Sequence, residues 1–110
     1  MARFAKVDRN HVEIVEAFRR HPQVSVFSTA TLGGGVPDLM LGGDGWTVPV
    51  EVKVGKKKLN RLQQSWHESW CGTPVVIVRT VKDADVLVQN IRMARRVFGY
   101  PLIRVEEQST

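Results

Sequence analysis

Pro37-Asp38-Leu39-Met40-Leu41-Gly42-Gly43-Asp44-Gly45-Trp46-Thr47-Val48-Pro49-Val50-Glu51-Val52-Lys53 is the stretch that decides the fold of this chain. Two apolar runs flank three glycines and an aspartate, a pattern that predicts a β-hairpin. Asp44-Gly45 tolerates the positive φ that tight hairpin turns need. A turn centred there pairs residues whose numbers sum to 89, which sets Asp38 opposite Glu51. Directly paired Cβ atoms lie roughly 5 Å apart. Lys53 follows Glu51 by two residues, so the pleat places it on the same face. Val50, Val52 and Val54 point the other way with Leu39 and Leu41, and that face is the expected core. Two carboxylates so close repel each other unless a proton or a cation lies between them. Mg2+ suits the position, because it takes oxygen ligands and is often held by one or two carboxylates plus substrate phosphate. The plainer alternative is a surface hairpin on which Lys53 balances Glu51 in a weak exposed pair. The hairpin alone leaves the two readings level.

The 110 residues fit one domain, 1–110, with a modest core. With 43% hydrophobic and 25% charged residues, the composition is that of an ordinary globular protein. A formal net charge of +5 favours an anionic partner. Nucleic acid ranks ahead of membrane, because no basic amphipathic segment with a broad apolar face stands out. Solubility alone is the bland account of the charge. The single cysteine, Cys71, cannot form an internal disulfide, which points to a reducing cytoplasm. Met1-Ala2-Arg3-Phe4 opens no signal-peptide pattern, and no apolar run approaches membrane-spanning length.

Outward from the hairpin, Asp8-Arg9-Asn10 precedes a helical pattern that runs to about Arg20. Val12, Val15 and Phe18, with Ile14 beside them, form its expected buried stripe. Asn10 with Glu13 three residues later makes an Asn-x-x-Glu capping box, the structural role of Glu13. After His21-Pro22, Gln23 to Thr29 reads as a strand in which Val24 and Val26 alternate with Ser25 and Phe27. The loop Thr31-Leu32-Gly33-Gly34-Gly35-Val36 lacks the Lys-Ser/Thr ending of a phosphate-cradling loop, so no nucleotide cofactor is expected.

Beyond the hairpin, Gly55-Lys56-Lys57-Lys58 leads into a helix over about Leu59 to Trp70. Leu59, Leu62, Trp66 and Ser69 share one stripe, and Gln63, His67 and Trp70 the next. Trp66 reads as core. His67 reads as a polar helix residue, with no second His or Cys nearby to support metal ligation. Gly72 and Pro74 stop the helix. Pro74 to Thr80 is a near-continuous apolar run, the mark of a strand buried on both faces. Lys82-Asp83 starts a last helix with Val86, Leu87, Asn90, Ile91 and Ala94 facing inward. Its Arg92, Arg95 and Arg96 suit a helix C-terminus by dipole or, in the sharper reading, phosphate contact. Gly99-Tyr100-Pro101 breaks that helix, Leu102 to Val105 reads as an edge strand or dimer contact, and Glu106 to Thr110 as a tail. The fold class is α/β, a central mixed β-sheet flanked by helices in the order α-β-β-β-α-β-α.

Pro37-Asp38 followed by Glu51-Val52-Lys53 resembles the signature of the PD-(D/E)xK nuclease superfamily. The likeness extends to its small VRR-NUC-type members, known from phages and prophages. Asp8-x-Asn10-x-x-Glu13-Ile14-Val15 is similar to their opening helix and Gly35-x-Pro37-Asp38-Leu39 to their second motif. Leu59 through Gln63-x-x-Trp66-His67-x-x-Trp70-x-Gly72 resembles the helix after Glu-Val-Lys. Val76-x-Val78-x-Thr80 with Asp83-Ala84 resembles their last strand and helix start. Pro-Asp and Glu-x-Lys are weak motifs alone; four blocks in order, from Asp8 to Val88, are far more specific. The lysine-rich turn lacks the proline-rich insert of some relatives, and the basic stretch after Asn90 has no counterpart.

The resemblance implies a restriction-endonuclease-like core and a Mg2+- or Mn2+-dependent deoxyribonuclease. It assigns Asp38, Glu51 and the Val52 backbone carbonyl as metal ligands and Lys53 as the group that orients water or stabilises developing charge. Glu13 would join the metal shell, if need be through water. Gln63, chosen over Gln64 for its spacing to Trp66, would buttress Lys53 and the water. Lys56, Lys57, Lys58, Arg61, Arg92, Arg95 and Arg96 are the candidates for DNA-backbone contacts. No element looks like a major-groove reader, so branched DNA (a Holliday junction or a flap) is the expected substrate. A homodimer in the cytoplasm, the host's if phage-encoded, completes the expectation. The rivals are an inactive DNA-binding module of the same fold, an RNA-directed nuclease, and a protein-interaction domain. A binding module has no need of a repulsive carboxylate pair, and no RNP-type aromatic motif favours RNA.

Overall fold

The computed structural model describes residues 9–98. Its elements run α1 (Arg9–Arg20), β1 (Val24–Ser28), β2 (Leu39–Gly43), β3 (Trp46–Val52), α2 (Arg61–Ser69), β4 (Val76–Val78) and α3 (Val81–Phe98). This is the expected α-β-β-β-α-β-α order. The four strands form one mixed sheet in the order β1-β2-β3-β4. β1, β2 and β3 are antiparallel neighbours, and β3 pairs with β4 in parallel. Asp8 and the expected elements from Gly99 to Thr110 lie outside the described residues.

The hairpin has the register its turn chemistry dictates. Leu39 pairs with Val50, Leu41 with Val48 and Gly43 with Trp46. Asp44 and Gly45 adopt φ of 51° and 86°, so both central turn residues are left-handed, as a type I′ turn requires. Pro49 sits inside β3, where proline is normally excluded because it cannot donate to a ladder. The Lys53 N–H donates to the Val78 carbonyl, so odd-numbered residues of β3 face β4. β4 pairs only from Val50 onward, and Pro49 therefore faces a side where no ladder bond is lost.

One face of the sheet meets α1 and α3 in a single core. Leu39, Leu41, Val48, Val50 and Val78 from the strands pack with Ile14, Ala17 and Phe18 of α1 and with Ala84 and Val88 of α3. Val52 closes this core, but Val54 is exposed because β3 ends two residues before it. The buried stripe of α1 is Ile14, Ala17 and Phe18, not Val12, which is exposed. Asn10 lies inside α1 and donates its side-chain amide to the Arg79 carbonyl, so it ties the helix to the end of β4 and forms no capping box. On α3, Val86 and Asn90 are exposed and Ala84 and Val88 are buried; the inward face begins two residues earlier than the pattern suggested. The helix starts there because Thr80 caps it, its hydroxyl accepting from the Asp83 N–H.

The other face is partly covered by α2. No residue of α2 is fully buried; Gln63, Trp66 and His67 are half-buried and Leu62 is exposed. Trp66 is therefore not a core residue. Its ring stacks on Trp70, with centroids 4.9 Å apart, and the Trp70 indole donates to the Thr73 carbonyl. β4 is shorter than its apolar run, and Ile77 is exposed on the α2 side of the sheet. The run is apolar because one face of β4 is core, not because both faces are.

Candidate active site

The site forms at the start of β2, where β3 continues past it. Even-numbered residues of β3 direct their backbone toward β2, and Val52 lies beyond Leu39, the first residue of β2. The Asp38 carboxylate takes the place of the missing strand and accepts from the Val52 N–H at 2.9 Å. In a strand, a residue's N–H and carbonyl point to the same side. The Val52 carbonyl thus faces the Asp38 side as well. Asp38 is itself held by Thr29, whose N–H donates to the Asp38 carbonyl at 2.8 Å and whose buried hydroxyl donates to the Pro37 carbonyl.

Glu51 projects from the opposite face to the core, yet only 2% of it is exposed. The plainer reading of the hairpin as a solvated surface fails on that number. Burial pushes the Glu51 carboxyl up to about 8; the Asp38 charge and a hydrogen bond with Asp38 add to the rise, and Lys53 opposes it. In the metal-free protein, therefore, a proton sits in the carboxylate pair at neutral pH.

α2 supplies the lid over Glu51. Asn60 caps the helix and accepts from the Gln63 N–H, while Gln63 Oε1 accepts from the Asn60 N–H, both at 2.9 Å. This capping box fixes the amide of Gln63, so its NH2 group is the end that remains for Glu51. It donates to Glu51 Oε2 at 3.1 Å. Gln63 thus orients the carboxylate; no hydrogen bond joins it to Lys53. One turn later, His67 Nε2 lies 3.9 Å from Glu51 Oε1. Burial and the neighbouring Lys53 charge lower the His67 pKa.

Gly35 sets the distance between the Asp38 loop and α2. Its φ is 86°, and a Cβ there would lie 2.2 Å from the Leu62 carbonyl oxygen. Gly35→Ala is expected to cost about 2–4 kcal/mol through left-handed strain and this clash. Urea unfolding checks it; a loss under about 0.5 kcal/mol would mean that the loop does not press on the helix.

The remaining candidates divide by position. Lys56, Lys57 and Lys58 are exposed on the segment that joins Lys53 to α2, and Arg61 is exposed at the start of α2. Arg79 holds that segment in shape, donating to the Gly55 and Lys57 carbonyls at 2.8 Å each. Glu13 is exposed on α1, and no hydrogen bond or ion pair joins it to Asp38 or Glu51. Arg92 and Arg95 serve the far end of the hairpin. Arg92 donates to the Pro22 carbonyl and lies 3.7 Å from the Asp44 carboxylate, and Arg95 donates to the Asp44 carbonyl. Asp44 is six residues from Asp38 along the strand, roughly 20 Å away. The structure therefore does not bring Arg92 and Arg95 to Asp38 and Glu51; Arg96 beside them is exposed.

Among the described residues, no three His, Cys, Asp or Glu side chains converge as a ready-made metal cage. Two carboxylates with a backbone carbonyl beside them nevertheless match how Mg2+ is commonly held, with water and phosphate filling the other positions. The orphaned Glu51 Oε1, buried and without a hydrogen-bond donor, fits the same use. Among the described residues, no helix is long and apolar enough to cross a membrane. Compared with known protein families and with curated proteins, the chain matches none.

Proposed function

We propose that this chain is a divalent-metal-dependent endonuclease that hydrolyses DNA phosphodiester bonds, selective for branched structures such as junctions and flaps. The observation that carries the reading is Glu51, a carboxylate buried against Asp38 and raised to about 8, with Lys53 on the same face. A structural role gains nothing from such a pair, and titratable groups perturbed by burial plus a specific charge partner cluster at functional sites.

Asp38, Glu51 and the Val52 carbonyl hold Mg2+ or Mn2+. A bound ion supplies Lewis-acid polarisation of a phosphate oxygen and acidifies the attacking water. Lys53 orients that water and offsets the negative charge that develops on the phosphoryl oxygens. Gln63 keeps Glu51 in one rotamer, so the carboxylate is in place before substrate arrives. Glu13 would join the metal shell through water. The lysine turn and Arg61 grip the sugar–phosphate backbone, which positions DNA without reading bases. Two copies of the chain, one site each, divide the two strands between them.

The test is incubation with labelled duplex, flap and four-way-junction DNA in Mg2+, Mn2+ or EDTA. Cleavage of the branched substrates that EDTA abolishes is expected. DNA bound and left intact with every metal would favour the inactive binding module instead. A companion measurement addresses the lysine turn. Replacing Lys56, Lys57 and Lys58 together by alanine is expected to flatten the slope of log affinity against log salt by about 3. An unchanged slope would remove that turn from the interface.

A further inference from the structure

Gln63 and His67 stand one turn apart on the same side of α2, and both face Glu51. Gln63 takes Glu51 Oε2, which turns Oε1 toward His67 Nε2. The 3.9 Å between these atoms is too long for a hydrogen bond. Both atoms are buried, and neither has a hydrogen-bonding partner. Two adjacent buried polar atoms that do not satisfy each other are rare in folded proteins. An ion with bonds of about 2.1 Å to each spans up to about 4.2 Å, so one ion fits the separation that a hydrogen bond does not.

We propose that His67 is a nitrogen ligand of the ion held by Asp38 and Glu51, and that it gives the site a preference for first-row transition ions over magnesium. This assignment rests on the metal-dependent reading above and extends its ligand set. Mg2+ is a hard ion that favours oxygen, whereas affinity for imidazole nitrogen rises along the first-row series. Gln63 makes the assignment specific, because it engages Oε2 and leaves Oε1, the oxygen beside His67, without a hydrogen-bond partner.

Mn2+ and Mg2+ binding to the purified chain, measured by calorimetry with Mn2+ electron-spin-echo spectroscopy, tests this. Wild type is expected to bind Mn2+ more tightly than Mg2+ and to show nitrogen modulation from one imidazole. His67→Leu should remove the modulation and weaken Mn2+ binding about tenfold or more, with Mg2+ affected less than about threefold. His67→Gln, an oxygen donor of similar reach, should also lose the modulation and narrow the preference. Circular dichroism identifies any variant that fails to fold. Binding without nitrogen modulation, unchanged in both His67 variants but lost in Asp38→Asn, would overturn the ligand and leave the metal-dependent reading intact. No Mn2+ binding by wild type, or binding indifferent to Asp38→Asn, would overturn both.

Discussion

Glu51→Gln is expected to stabilise the metal-free protein by ~3 kcal/mol at about pH 7 and to abolish cleavage. The carboxyl is raised from 4.5 to about 8 in the folded chain. Between these values the unfolded chain has lost the proton that the folded chain keeps. Stability of the metal-free wild type therefore falls as pH rises from about 4.5 and levels off only above about 8. Glutamine is neutral at every pH and keeps the shape of the protonated acid. It can still accept from Gln63 and donate to Asp38, so the variant loses the penalty but not the contacts. It also loses the charge that attracts a cation. Urea unfolding in EDTA near pH 5 and near pH 8 checks this. The wild type should weaken relative to the variant across that range. Parallel curves would mean that Glu51 is not held protonated by the fold.

Lys53→Ala is expected to lower the cleavage rate about 100- to 1000-fold, the usual cost of removing one group that stabilises transition-state charge. DNA affinity should change little, because Lys56, Lys57, Lys58 and Arg61 carry the backbone grip. Lys53 is also the charge that opposes the raised Glu51 pKa. Its removal lets that pKa climb further, so residual activity should shift to higher pH. Single-turnover rates against pH, with binding measured in parallel, separate the two effects. A variant that binds poorly and cuts normally once saturated would make Lys53 a binding residue.

The hairpin was legible to the level of register, because Asp44-Gly45 admits one turn type and period-two alternation then fixes every partner. Asp38 opposite Glu51 followed from that alone. The burial of Glu51 did not, since it depends on α2 folding back over the far face of the sheet. That docking is set by Gly35 against Leu62 and by the Asn60–Gln63 capping box, contacts between segments the sequence leaves separate. The approach of His67 to Glu51 was hidden for the same reason. Its one trace in the sequence is its spacing of four from Gln63, which places both on one side of a helix. The roles of Arg92 and Arg95 were ambiguous because a basic helix end suits a dipole and a phosphate equally; their hydrogen bonds to Pro22 and Asp44 show what holds them. Thr29 carried no signal, as a strand-ending threonine becomes an anchor for Asp38 only once β1 pairs with β2. Val12, Val86 and Asn90 were misplaced by a single-helix pattern that cannot tell which side of a stripe meets a neighbour.

The most direct measurement is single-turnover cleavage of an end-labelled four-way junction by wild type and Lys53→Ala, each in Mg2+ and in EDTA. Discrete products from the wild type in Mg2+, absent in EDTA and reduced at least about 100-fold in the variant, are predicted. Equal cleavage by both proteins, or cleavage that survives EDTA, would contradict a metal-dependent site built on Asp38, Glu51 and Lys53.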